Sequence, residues 1–401
     1  MKTFGASTRD PVLDVLRGIA IFLVLLGHAV QYGSGTSFLQ SGSFFDASLF
    51  KWIYSFHMPL FMIMSGYLFS YTVGRHSFSR TVKRRLTQLL LPIFAWNALV
   101  YVVAFARSPS WWFLPMAKDY LLSSLSFLWF LWALLFCSLL VAVVNRYLRD
   151  SILVYIAVFV ALFFVPDVYN TANTKFMYPF FVIAYLYNQR QWAFMDKWNV
   201  AKKSYAWTLL AIVFTGLVVI YNRNDYIYTS GYTLLGRNLA QQFGIDMYRL
   251  AVGLVGSMVV ILAVYGMRDW VVKVEHGVVS GVGRASLGIY VVSTLLFLYF
   301  VPRVTGGLHP QYYLAPLEAV GICATSYAAT RVLSTWKVTR LLLLGGRGVE
   351  GDVRATRSVP IALAAISLPH SDEPANHEPR RGKAKRPSEE PRANGSGGAQ
   401  N

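Results

Sequence analysis

Ten long apolar runs alternate along this chain with short polar stretches that carry most of its Arg and Lys. They cover residues 13–31, 52–72, 88–106, 127–145, 151–166, 176–189, 205–221, 247–266, 287–302 and 312–333. A helix needs about 20 apolar residues to cross the hydrocarbon layer of a bilayer, so the pattern predicts an all-α integral membrane protein, a polytopic bundle of about ten transmembrane helices. The fifth, sixth and ninth runs are the shortest. Trp52, Tyr71, Trp111, Trp112, Tyr187, Trp192, Trp207, Tyr221 and Trp270 stand at run ends, where amphipathic rings sit at the membrane–water boundary. The first run is too long for a signal-peptide core of ~7–15 residues and is read as a retained helix.

Composition agrees with lipid as the main solvent. Of 401 residues, 55% are hydrophobic and 14% charged, against roughly 25% charged in soluble domains. The net charge of +18 then reads through topology. With the N-terminus inside, the inner loops hold fourteen basic residues, from Arg75 to Arg284, and the outer loops seven. That excess puts both termini in the cytoplasm. No basic stripe with interleaved aromatics lies outside the runs, so no nucleic acid is expected as a partner, whereas membrane lipids are. Cys137 and Cys323 both fall within apolar runs and predict neither a disulfide nor a zinc site. The composition divides the chain into a membrane-embedded domain over residues 1–344 and a disordered cytoplasmic tail over 345–401, rich in Pro, Gly, Ser and mixed charge.

Ionisable side chains inside a membrane helix are costly and mark candidate function. The first run holds Asp14, Arg17 and His28. Arg17 and His28 are eleven positions apart, close to one azimuth and ~16 Å along the axis. The second run holds His57, Ser65 and Tyr67 and travels the other way, so His28 and His57 fall at similar depth in the outer half. Asp14 with Arg17 can equally be an interfacial ion pair, and each histidine a packed, satisfied one. Two histidines without further ligands at suitable spacing predict no metal. The cluster Lys83-Arg84-Arg85 follows the second run; ordinary cytoplasmic loop charge explains it, and so does a cradle for a polyanionic cofactor. Trp129 opens the fourth run in an aromatic stretch that an interfacial belt also explains.

The stretch Leu13-Asp14-x-x-Arg17-Gly18-Ile19-Ala20 running into Gly27-His28 resembles the opening of the membrane acyltransferase 3 family. Phe56-His57-Met58-Pro59-Leu60-Phe61, with Ser65-Gly66-Tyr67, resembles its second-helix motif in the fucose 4-O-acetylase-like branch, common among exopolysaccharide O-acetyltransferases. Arg84-Arg85 before Leu89-Leu90-Leu91-Pro92, Leu128-Trp129-Phe130-Leu131, and Gly283-Arg284-x-Ser286-Leu287-Gly288-Ile289-Tyr290 resemble later motifs of the family, in its order. Ser293 stands where many members have His, and Gln88 where a second basic residue often precedes the Pro.

The resemblance implies acyl transfer, most often of acetyl, from cytoplasmic acetyl-CoA to a hydroxyl of a lipid-linked or growing polysaccharide at the outer face. It implies an inner (plasma) membrane, multi-pass location beside polysaccharide-assembly machinery. His28, with Asp14 and Arg17, is the expected catalytic group. Arg17, Arg84 and Arg85 are expected to bind the donor, and His57, Ser65, Tyr67 and Trp129 the acceptor. His28 can act as general base or accept the acyl group itself. The competing expectation is a transporter or flippase for a lipid-linked glycan, using the polar stripe as its path.

Overall fold

The computed structural model describes residues 10–33, 36–73, 75–107, 113–190, 200–273, 277–305 and 314–346. Among these residues every regular element is helical. In chain order they are α1 (Pro11–Tyr32), α2 (Thr36–Ser41), α3 (Ser48–Tyr54), α4 (His57–Ser70), α5 (Phe78–Arg85), α6 (Leu91–Arg107), α7 (Phe113–Ser126), α8 (Trp129–Tyr147), α9 (Ile152–Leu162) and α10 (Thr171–Gln189). Then come α11 (Val200–Ile220), α12 (Ile227–Ser230), α13 (Leu239–Gly266), α14 (Arg268–Lys273), α15 (Val278–Arg284), α16 (Ser286–Leu295), α17 (Val301–Thr305), α18 (Ala315–Leu333) and α19 (Lys337–Leu344). Short π segments, Leu86–Leu90 and Leu296–Phe300, join α5 to α6 and α16 to α17.

Each of the ten apolar runs coincides with a helix. Among the described residues six helices are long and apolar enough to cross a membrane: Pro11–Tyr32, Phe78–Ala106, Trp129–Tyr147, Lys202–Ile220, Leu239–Gly266 and Ser286–Val304. The other four runs fall on α4, α9, α10 and α18, which are shorter or more polar. Two details differ from the pattern. The run 52–72 is broken at Ser55–Phe56 into α3 and α4, because Phe56 leaves helical geometry at φ −141°. The stretch before the third run, which holds Arg84 and Arg85, is helix α5, continuous with α6, and not a loop. Trp111, Trp112, Trp192 and nearly all of the tail over 345–401 lie outside the described residues.

α1 is the central helix. The Asp10 carboxylate accepts from the Val12 N–H at 3.0 Å, and Pro11 starts the first turn without an N–H to satisfy. Helix packing surrounds it: α3, α4, α13, α14, α15, α16 and α18 all touch it. Its apolar window is 67% buried within the protein, against 11% for α11, whose Leu209, Ile212, Val219 and Ile220 face outward. Similar hydropathy therefore serves two ends, a protein core for α1 and a lipid-facing surface for α11. Trp52, Trp207 and Trp270 are exposed, as rings of an interfacial belt would be. α4 lies along α10, where Gly66 admits the Phe181 backbone to a place a Cβ would occupy.

Candidate active site

The break between α3 and α4 builds the site. Where a helix ends, its last carbonyls lose their N–H partners. The Ile53 carbonyl, which keeps only a 3.3 Å bond from the Phe56 N–H, also receives the His57 ring, with Nδ1 at 2.8 Å. On α1, Nδ1 of His28 lies 2.9 Å from the Val24 carbonyl. A carbonyl only accepts, so Nδ1 of both rings carries the proton, and Nε2 of both is left as a basic lone pair. Among the described residues neither Nε2 has a hydrogen-bond partner.

Tyr54 stands between the two histidines. Its ring centroid is 6.2 Å from that of His28 and 4.7 Å from that of His57. Its hydroxyl donates to Gln31 Oε1 at 3.2 Å and lies 3.3 Å from His28 Nδ1, which it can accept as a second branch of that N–H bond. Phe50 stacks on its far side at 3.7 Å. Gly27 makes the approach possible, since a Cβ there would meet Tyr54 Cε2 at 2.5 Å. Tyr32 and Phe297 complete the aromatic wall around His28, at 5.9 and 5.5 Å. His28 and His57 thus meet around one tyrosine, Tyr54, which the sequence did not single out.

Below the histidines lies a cavity of about 890 Å³, counting its open mouth. Arg17 and Arg284 line it, with Ser65, Ser286 and Thr330 among mostly apolar neighbours. Its end nearest the histidines is formed by Val24, Met58, Phe61, Phe130 and Tyr290. Val24 carries the carbonyl that holds His28, and Met58 follows His57, while neither imidazole itself lines the cavity. The rings of Phe61 and Tyr290 flank Phe130 at 5.7 and 5.8 Å.

The remaining candidates spread out. Asp14 is buried at 3% exposure, with Arg17 Nη1 3.9 Å from its carboxylate. Of the acceptor candidates only Ser65 joins the cavity wall. The Tyr67 hydroxyl pairs with that of Tyr71 at 2.8 Å. In the Trp-Phe-Leu motif, Phe130 reaches the cavity and Trp129 packs beside it at 6.0 Å. Arg84 and Arg85 do not line the cavity; Arg85 lies over the Phe69 ring at 4.4 Å. Arg284 does line it, and its signal in the sequence was present within the late Gly-Arg-x-Ser-Leu motif. No group of three or more His, Cys, Asp or Glu is placed to hold a metal among the described residues.

A second buried polar cluster, unforeseen from the sequence, closes the far end of α13. Arg249 is 2% exposed, and each of its five N–H groups meets an acceptor. Nε donates to the Asp225 carbonyl at 2.8 Å, and Nη1 to the Gly231 carbonyl at 2.7 Å and Asp246 Oδ1 at 2.8 Å. Nη2 donates to the Asn224 carbonyl at 3.2 Å and to Ser230 Oγ. Beside it, burial pushes the Asp225 carboxyl above its ordinary value, against the Asn222 N–H and the Arg249 charge. At Asp167 burial also works upward, but the Lys175 ammonium at 2.6 Å and the N–H groups of Tyr232 and Thr233 overcome it and hold the carboxyl below its ordinary value.

The family described as "Acyltransferase domain", acyltransferase 3, matches residues 10–334. Two curated relatives are both named nodulation protein NolL. That of Mesorhizobium japonicum is 34% identical over 192 residues, 46% of this chain and 49% of the relative. That of Sinorhizobium fredii is 36% identical over 189 residues, 46% of this chain and 50% of the relative. The chain therefore spans about half the length of the curated relatives it matches. No solved structure matches.

Proposed function

The chain belongs to the acyltransferase 3 family, and from that premise we propose that it moves an acyl group, acetyl in the first instance, from cytoplasmic acyl-CoA to a sugar hydroxyl of a surface or exopolysaccharide at the extracytoplasmic face. The observation that carries this reading is the pair of imidazoles whose Nδ1 atoms are committed to carbonyls while both Nε2 lone pairs stay open. The reading takes the ten helical runs as membrane passages of a multi-pass inner-membrane protein, with both termini in the cytoplasm. Arg17 and Arg284 then stand toward the cytoplasm, and His28, Tyr54 and His57 toward the exterior.

Nε2 of His28 takes the proton of the acceptor hydroxyl as the hydroxyl oxygen bonds to the thioester carbonyl carbon. The carbon–sulfur bond breaks, and the imidazolium returns the proton to the departing thiolate. The products are an ester and a free thiol, and His28 ends as it began. Between the two transfers the Val24 carbonyl and the Tyr54 hydroxyl oxygen accept from Nδ1–H of the charged ring, supporting it where water is scarce. His57 presents a second neutral imidazole to the same space. Met58 and Phe61 stand between cavity and histidines, and the unbranched Met58 is the residue able to move aside for the thioester. The aromatic wall of Tyr32, Tyr54 and Phe297 suits the apolar face of a sugar ring.

The test is acyl transfer from labelled acetyl-CoA to the polysaccharide by protein in lipid nanodiscs. His28→Ala is expected to lower kcat by at least ~10²-fold, the usual worth of a general base, with the thermal midpoint unchanged. Wild-type turnover by that variant would remove His28 from the chemistry. A glycan translocation path finds less support, because the family that matches the chain is described by acyl transfer.

A further inference from the structure

We infer that Arg284 acts with Arg17 as a two-guanidinium clamp for the phosphate next to the pantetheine arm of the acyl donor. The inference rests on the donor reading above, and it assigns the phosphate-binding role to the α15 arginine in place of Arg84 and Arg85. Both guanidinium groups face one cavity with a mostly apolar lining. Neither meets a carboxylate closer than 3.9 Å among the described residues. The carboxylate nearest Arg17 is that of Asp14 at 3.9 Å, a loose pair, and Arg284 donates only to Ser280 Oγ at 3.0 Å among the described residues. Two like charges lining one cavity repel, so an anion between them relieves that cost. The planar forks of two arginines suit a tetrahedral phosphate.

The backbone sets the two at one level. α15 crosses α1 so closely that a Cβ on Gly283 would collide with the Asp14 carbonyl and would stand 2.9 Å from the Gly18 nitrogen. Gly18 in turn packs on the backbone of Val279. Arg284 therefore leaves α15 beside the turn of α1 that carries Arg17. Paired glycines are what hold the clamp closed.

Length then selects the phosphate. Arg17 and His28 are eleven positions apart on α1, a rise of ~16 Å. Thirteen bonds separate the thioester sulfur from the first phosphorus of an acyl-CoA, and an extended chain advances ~1.2 Å per bond, giving ~15 Å. A donor whose first phosphate rests on Arg17 and Arg284 therefore brings its thioester to the depth of His28. The adenosine end is left for the cytoplasmic mouth.

The experiment measures equilibrium binding of CoA, 4′-phosphopantetheine and pantetheine to wild type and Arg284→Gln by calorimetry in zwitterionic nanodiscs. The expected result is a loss of at least ~10-fold for CoA and 4′-phosphopantetheine in the variant, with pantetheine unchanged, as for a lost charged hydrogen bond. Calorimetry reads the number of sites apart from Kd, so a partly damaged variant loses sites while its intact fraction still reports Kd. An equal effect on all three, or none, overturns the clamp and leaves the donor reading standing. Arg284→Lys, which keeps charge but loses the fork, is expected to fall between. A phospholipid headgroup offers the same phosphate chemistry. If adding phosphatidylglycerol to the discs weakens 4′-phosphopantetheine binding in wild type but not in Arg284→Gln, the clamp holds lipid and the assignment falls. Failure of wild type to bind any of the three ligands would sink the donor reading and the clamp with it.

Discussion

Two buried polar clusters in this molecule look alike in the sequence and differ in what they leave undone. Arg249 on α13 and His28 on α1 both sit in helices long and apolar enough to cross a membrane. Around Arg249 every donor is matched, five N–H groups to five oxygens; four of the acceptors come from the connecting segment between α11 and α13 and the fifth is Asp246 on α13 itself. Around His28 and His57 one nitrogen of each ring is tied and the other is open. A saturated cluster fixes backbone and can do little chemistry, since each lone pair and proton is already in use. A cluster with open lone pairs beside a cavity can accept a proton from a ligand. In a low-dielectric interior, unspent hydrogen-bonding capacity separates a reactive group from a buried strut better than charge does.

The strongest way to break that contrast is Arg249→Met. If the arginine is a strut, the change strands the Asp246 carboxylate and the Gly231, Asn224 and Asp225 carbonyls, costing about 3–5 kcal/mol of stability. Acyl transfer by the fraction still folded should then match wild type. The thermal midpoint in nanodiscs reads the first part, and turnover per folded molecule the second. Adding Asp246→Leu should return most of the stability, since a buried pair exchanged for apolar groups is often neutral. A per-molecule loss of turnover comparable to that of His28→Ala would erase the distinction.

Tyr54→Phe sharpens the other side. It keeps the ring between the histidines and the stack on Phe50, and removes only the hydroxyl shared by Gln31 and His28. One hydrogen bond is worth about 0.5–1.5 kcal/mol, so kcat should fall roughly 2- to 12-fold with KM for both substrates held. A rise in KM with constant kcat would show a binding role in place of support for the charged ring. The smallest effect belongs to Asp167→Asn, which weakens the strap from Lys175 to Tyr232 and Thr233 without touching the histidines. The Asp167 carboxyl is held below its ordinary value, so it favours the folded state above the ordinary carboxylate range. That contribution fades as pH falls through the lowered value. Melting curves should show the variant less stable by about 1–2 kcal/mol at neutral pH, with the gap closing in acid and turnover unaffected.

The order of hydrophobic and polar positions was enough to locate ten helical runs, because a segment that must hide its backbone from lipid has few ways to fold and needs many apolar residues in succession. It was also enough to put Asp14, Arg17 and His28 on one helix and His57 on its neighbour, since helical rise converts spacing into depth. The break at Ser55–Phe56 was out of reach, as the flanking residues stay apolar through it. So was the role of Tyr54, which depends on Gly27 for space and on the lost helical bond for the orientation of His57. Arg249 escaped notice although it lies inside a run, and only its partners from distant loops mark it as structural. The choice of Arg284 over Arg84 and Arg85 as cavity lining likewise belongs to tertiary structure. Spacing along one helix is fixed by covalent geometry, whereas which faces meet is decided by packing between segments far apart in the chain, here by two glycines that let α15 lie against α1.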